Sequence, residues 1–257
     1  MGPWLALGSA PLLLLLLVPL VALVLRVDPA RLLVNLRAPA VVQAITLSLV
    51  TTGCTVVLTL IVGTPLAYLL GRAQFRGRSV LDTLLDLPMV LPPSVAGIAL
   101  LLAFGRRGLV GQYLNAGGIT IAFTAVAVVL AQTFVAAPFY VKAAAAGFAG
   151  VDRDLEQAAT LDAGPWTVFR LVTLPLAWPT VLGGIVMSWA RALGEFGATI
   201  IFAGNFPGRT QTMPLAIYIG FEMEFDIALT LALILLVVSF TVLFVVKFAL
   251  RQRVTLG

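Results

Sequence analysis

The sequence predicts an all-α, polytopic membrane protein with six transmembrane helices, and three observations point there. Of 257 residues, 61% are hydrophobic and only 11% are charged, whereas a soluble domain is about one-quarter charged. So few charges cannot cover a water-facing surface of this size, and the mean hydropathy of +1.09 agrees. Finally, six stretches approach or exceed the roughly 20 apolar residues that one helix needs to cross a bilayer core about 30 Å thick.

In chain order they are Gly8 to Leu25, Gln43 to Leu70, Leu87 to Phe104, Ile119 to Val141, Pro175 to Phe202, and Ile227 to Val246. The first is expected to be a retained helix rather than a cleaved signal, because no Lys or Arg precedes it and no small-x-small site follows before Arg26. Pro19, Pro65, Pro92, Pro93 and Pro138 interrupt the spans, and each removes a backbone donor that a neighbouring helix or water must replace. Such interruptions suit helices that move or line a cavity, and equally suit static kinks. The fifth span alone carries charge, Arg191 and Glu195. Nine basic residues (Arg72, Arg76, Arg78, Lys142, Arg153, Arg170, Lys247, Arg251, Arg253) fall on the side of the termini, against six on the other. By the positive-inside rule both termini and the long fourth loop face the cytoplasm.

The chain has no histidine, which excludes histidine-based triads, HExxH zinc sites and haem-histidine ligation. A single cysteine, Cys54, excludes an internal disulfide, and its place in an apolar run reads as a small packing residue. An intramembrane hydrolase needs a nucleophile and base or two carboxylates within the spans, and only Glu195 qualifies, beside Arg191. No catalytic residue and no metal site is therefore expected, which leaves an intramembrane enzyme or simple channel as a remote alternative. A net charge of +5 reflects topology, so no nucleic-acid partner is expected.

Residues 151 to 175 are too polar to span and too patterned for a flexible linker. They predict two short helices: Asp154 with Gln157 resembles a capping box, and Gly164-Pro165 supplies a stop and a fresh start. Leu155, Ala158, Ala159 and Asp162 share one face by their spacing. A small, acidic face gains nothing from anionic lipid headgroups and suits a cleft on a cytoplasmic protein.

This segment resembles the EAA motif of membrane subunits of ATP-binding-cassette importers. Glu156, Gln157 and Ala158 stand at its Glu-Ala-Ala, Asp162 at its glycine, and Val172, Leu174 and Pro175 at its closing Ile-x-Leu-Pro, with the spacing kept throughout. Gln157 and Asp162 depart from the pattern, and Gly164 lies close by. The resemblance implies a type I ABC importer permease fold: a first transmembrane helix and outer loop over 1–42, a permease core over 43–250 with the coupling loop at 151–174, and a tail over 251–257. It also implies that Leu155, Glu156, Gln157, Ala158, Ala159, Leu161, Asp162, Ala163 and Gly164 dock on an ATPase subunit.

The string from Arg191 to Asn205, with Thr210-Gln211-Thr212, is similar to oxyanion importers, specifically molybdate permeases. Leu87 to Gly97 and Phe104 to Gly108 look like the same family. Sulfate permeases share the core from Gly194 to Ala198, while Thr199-Ile200 and the Thr-Gln-Thr segment favour molybdate over sulfate or thiosulfate. Arg191 and Glu195, four residues apart, read as a pair. With Phe196, Gly197, Ala198 and Thr199 they are candidates for the pathway or the interface between copies, and a structural clamp stands as an equal reading of the pair.

Importing a dianion against 100 mV costs about 4.6 kcal/mol, at about 2.3 per charge. Yet the chain has no Gly-x-x-x-x-Gly-Lys-Ser/Thr loop, since Gly105, Gly108 and Gly111 lack both its spacing and its lysine. It needs no cofactor of its own, and ATP and Mg belong to a partner. The implied assembly is two permease copies, two cytoplasmic ATPase subunits and an extracytoplasmic oxyanion-binding protein that selects the anion. Arg106, Arg107 and Arg209 are candidates for docking that protein.

Overall fold

In lipid only a helix satisfies every N–H and C=O within a single segment, and long runs of Leu, Val and Ala offer no competing local hydrogen bonds. The computed structural model describes residues 3–160 and 163–254, and all regular structure among them is helical. Helix α1 (Pro3–Arg26) is followed by a short α2 (Pro29–Asn35), whose first turn is capped by Asp28 accepting from the Ala30 N–H at 2.9 Å. Helix α3 (Pro39–Arg72) is the longest at 34 residues and runs through Pro65.

Next come α4 (Arg78–Val90) and α5 (Pro93–Phe104), bent by 114° at the Leu91-Pro92 break. The expected span from Leu87 to Phe104 is thus the end of one helix and the whole of another, broken at the prolines that interrupt it. Two successive prolines at 92 and 93 remove two adjacent donors, which ends one helix and starts another. A small α6 (Gly111–Ala116) leads to α7 (Ala125–Ala149). Helix α7 is displaced towards the C-terminus from the expected Ile119–Val141, because Thr124 caps its start and accepts from the Ala127 N–H.

The fourth loop does hold two short helices, α8 (Arg153–Thr160) and α9 (Pro165–Val168). From α9 the chain passes through one π turn (Phe169–Thr173) into α10 (Leu174–Leu193). The wide turn has a local cause: Pro175 cannot donate, and the Leu174 N–H reaches back five residues to the Phe169 carbonyl. The expected fifth span is also broken. Helix α10 stops at Gly194, and a separate α11 (Gly197–Phe202) follows. Helices α12 (Met213–Met223) and α13 (Phe225–Val254) complete the chain. Among the described residues, five helical runs are long and apolar enough to cross a membrane, or six with α4 and α5 counted as one bent span.

The core of the bundle is α3, α7 and α10, with Leu70, Tyr140, Val141, Phe148 and Val181 buried between them. Small residues let these backbones approach: a Cβ on Gly184 would stand 2.9 Å from the Ala143 Cβ, and one on Gly147 would stand 2.9 Å from the Thr180 Cβ. None of the described α1 residues is buried. Cys54 is not the packing residue expected; it is exposed on α3, on the same outward stripe as Val50, Val57 and Ile61.

Lys142, expected in the fourth loop, sits inside α7 and reaches across to α4. Its Nζ donates to Asp82 at 2.6 Å and to Asp86 at 3.0 Å. Helix α4 fully buries none of its own residues and packs on the core through the half-buried Leu81 and Leu85, with this partly exposed cluster as a polar tether beside them. Replacing Lys142 with Met leaves two carboxylates facing each other, at a cost under about 1 kcal/mol for such solvated pairs. Amide exchange should quicken in α4 and stay unchanged in α3. Identical exchange in α4 for both proteins would show that the tether does not hold it.

Candidate functional site

At the fourth-loop end of the bundle, α8 starts at Asp152, whose carboxylate accepts from the Asp154 N–H at 3.0 Å. Asp152, not Asp154, is therefore the cap, two residues earlier than the capping-box spacing suggests. Gly164 and Pro165 open α9 as expected, with the proline at the first helical position. Leu155, at 52% exposure, Gln157 and Ala158 face outward, while Ala159 and Ala163 are half-buried and Gly164 is exposed. Leu161 and Asp162 lie outside the described residues.

Glu156 does not share the outward face. Its carboxylate lies 2.6 Å from Arg72 Nη2 at the end of α3, and the two side chains are 16% and 10% exposed. It also accepts from the Thr173 hydroxyl in the π turn. Arg72 Nη1 donates to the Val151 carbonyl at 2.9 Å, and Arg153 Nη2 donates to the Arg72 carbonyl at 3.2 Å. Beside this knot, Tyr68 packs edge-on to Phe148 and Phe169 at 5.7 and 5.3 Å between ring centres.

The second expected site is built around the break after α10. Arg191, in the last turn of α10, pairs with Glu195 at 2.9 Å, although Glu195 lies beyond that helix rather than within it. A cation in a final helical turn also complements the helix dipole. Glu195 is only 1% exposed, and its other oxygen accepts from the Ala198 N–H at 2.8 Å, so the carboxylate joins α10 to the first turn of α11. Phe196 stacks near Tyr218 at 5.2 Å, and both line a cleft of about 410 Å³ with Pro214, Phe221 and Glu222. Gly197 lies against α5, where a Cβ would come within 2.6 Å of Pro93 Cβ. Ala198 and Thr199 are fully buried.

One feature escaped the sequence reading. Ser48, Thr52, Thr55 and Thr59 form a buried hydroxyl stripe along α3. Thr55 donates to Gln132 Oε1 on α7 at 3.0 Å, and Ser48 Oγ accepts from the Met213 N–H at 2.7 Å, which fixes the start of α12. The signal was present as polar residues at helical spacing inside an apolar run. Thr210, Gln211 and Thr212, read as an outer loop, are buried as well.

Arg106, Arg107 and Arg209 are exposed. The first two lie on the α5–α6 turn, where glycine is obligatory: a Cβ on Gly111 would fall 1.9 Å from the Gly105 carbonyl oxygen. The segment that follows holds Phe123 at φ +62°, fixed by its N–H to the Phe202 carbonyl and by its ring against Phe206. The loop that carries Arg209 therefore packs against the α5–α7 connection at one end of the bundle.

The family model of the binding-protein-dependent transport system inner membrane component matches residues 63–255. The molybdenum transport system permease protein ModB of Mycobacterium tuberculosis is 50% identical over 203 residues, 78% of this chain and 76% of that protein. The ModB of Escherichia coli K12 is 48% identical over 178 residues, covering 68% and 78%. Among solved structures, a bacterial ABC transporter that imports alginate superposes with a TM-score of 0.74 at 16% identity over 97% of this chain and 94% of the other. The methionine ABC transporter MetNI does so with 0.62 at 17% identity, covering 82% and 95%. The expected ABC importer permease fold is thus observed, and on the family match across three-quarters of its length the chain belongs to the binding-protein-dependent transport system inner membrane components.

Proposed function

We propose that the chain is the permease subunit of an ATP-binding-cassette importer that carries molybdate, and tungstate with it, into the cytoplasm. The observation that carries this reading is the identity of about half its residues with molybdenum permeases over most of both chains. Molybdate and tungstate are tetrahedral dianions of the same charge, so a pathway with few charged groups treats them alike.

In this reading the exposed Leu155, Gln157 and Ala158 face of α8 docks on the partner ATPase, which holds ATP and Mg. Two copies surround the pathway. Arg72, Lys142, Arg153 and Arg170 mark the cytoplasmic end, and the contacts of Arg72 with Val151 and Glu156 support the placement of the second and fourth loops on one side. Both termini then face the cytoplasm, and Arg106, Arg107 and Arg209 face a binding protein on the other side.

The test is ATP hydrolysis by the reconstituted assembly. A binding protein loaded with molybdate or tungstate should stimulate hydrolysis over the same protein empty, and sulfate should not. If sulfate-loaded protein stimulates best, the chain serves sulfate, and the Thr199 and Thr210–Thr212 positions do not discriminate.

A further inference from the structure

Helix α8 buries none of its eight residues. Apolar packing therefore does not fix it to the bundle, and polar links must. Four meet at one point. Arg72 joins Glu156 and the Val151 carbonyl, Arg153 joins the Arg72 carbonyl, and Thr173 donates to Glu156. Thr173 is fully buried in the π turn immediately before α10, and Arg72 is the last residue of α3. One carboxylate on α8 is thereby tied to the end of α3 and to the π turn that leads into α10. A cleft of about 270 Å³, bounded by Tyr68, Arg72, Arg153, Gln157 and Thr160, runs beside the pair.

We propose that Arg72 is a positioning residue for energy coupling, and that Glu156 is an internal anchor rather than a docking contact. A displacement imposed on the outward face of α8 passes through Glu156 to Arg72 and the end of α3, and through Thr173 to the foot of α10. This rests on the reading of α8 as the ATPase-docking element. The division of labour is local: Leu155, Gln157 and Ala158 meet the partner, while Glu156, one position away and turned inward, carries the motion. Removing either charge leaves the other unpaired in a largely buried setting, so the link is lost from either side.

The experiment uses the full assembly in liposomes with its ATPase and a molybdate-loaded binding protein, and measures three quantities: ATPase retained on the permease, ATP hydrolysed, and molybdate taken up. Arg72→Gln and Glu156→Gln should each retain the ATPase, while molybdate taken up per ATP falls about tenfold, within the range of interaction energies between contacting residues. The exchanged pair, Arg72→Glu with Glu156→Arg, should recover part of that ratio. It also keeps the test decisive if a single variant is unstable, because it rebuilds the link with its charges reversed. Loss of the ATPase from the Glu156→Gln assembly but not from Arg72→Gln would overturn the proposal, since Glu156 would then be a docking contact. So would an exchanged pair no better than the single variants. A separate arm tests the underlying reading: if Leu155→Asp leaves ATPase retention and uptake intact, α8 is not the docking element at all.

Discussion

Replacing Arg191 with Met should cost about 3–5 kcal/mol of stability, the loss expected when a buried ion pair is left with one uncompensated charge. The effect should exceed that of Glu195→Gln, and the structure sets the asymmetry. Glu195 is 1% exposed, while the Arg191 side chain is 30% exposed. An orphaned Glu195 keeps only the Ala198 N–H. An orphaned Arg191 still reaches solvent or headgroups, and in Glu195→Gln the new amide oxygen can still accept from Ala198. The double variant, Arg191→Met with Glu195→Gln, should be more stable than Arg191→Met alone. Thermal unfolding in detergent, with molybdate uptake beside it, measures all three. Equal losses in the two single variants, with no recovery in the double, would show that the pair does not act as a unit.

Gly97→Val should also be damaging, though less so. In an exposed helix, replacing glycine would gain helix propensity, so the sign depends on space. A Cβ at 97 would stand 2.9 Å from the Ala198 carbonyl oxygen and 2.9 Å from Ile201 Cβ, and the first of these is backbone that cannot rotate away. Helix α5 must then lift off α11, at about 1–3 kcal/mol for overpacking, and the first turn of α11 moves away from Glu195. A lower unfolding temperature and lost uptake are expected. An unchanged unfolding temperature would mean that α5 and α11 are not in close contact in the assembled transporter.

These two sites differ in how far the sequence announced them. The spacing of Arg191 and Glu195 revealed their pairing because the partners are one helical turn apart. The apolar runs located α1 and α3, and the start of α13, within about five residues for the same local reason, while α13 runs eight residues past the expected Val246. What failed were breaks flanked by apolar residues on both sides. Gly194 ends α10, yet hydropathy averaged across it reads as one span, and Pro92-Pro93 turn the chain by 114° inside another. The eleven residues of α12 are too short to register as a span. Contacts between distant elements left no local trace: Arg72 reads as one of several loop cations, and Lys142 as another, until the fold brings Glu156, Asp82 and Asp86 beside them. The exposed face of α8 is legible as a helical stripe, but the inward turn of Glu156 towards Arg72 and Thr173 is not, because those partners are distant in sequence.

Cys54 has a practical consequence. It is the only thiol in the chain, and it is exposed on the outward stripe of α3. A nitroxide on Cys54 would mark one defined point on the longest helix, with no other cysteine in the chain to remove first. The thiolate is the reactive form and the stripe is apolar, so labelling calls for a small, membrane-permeant reagent at raised pH. In an assembly of two copies the symmetry operation relates the two labels, so a single distance distribution reports the separation of the two α3 helices. Recorded in an assembly that includes the ATPase, with and without ATP, it would measure how far those helices move apart.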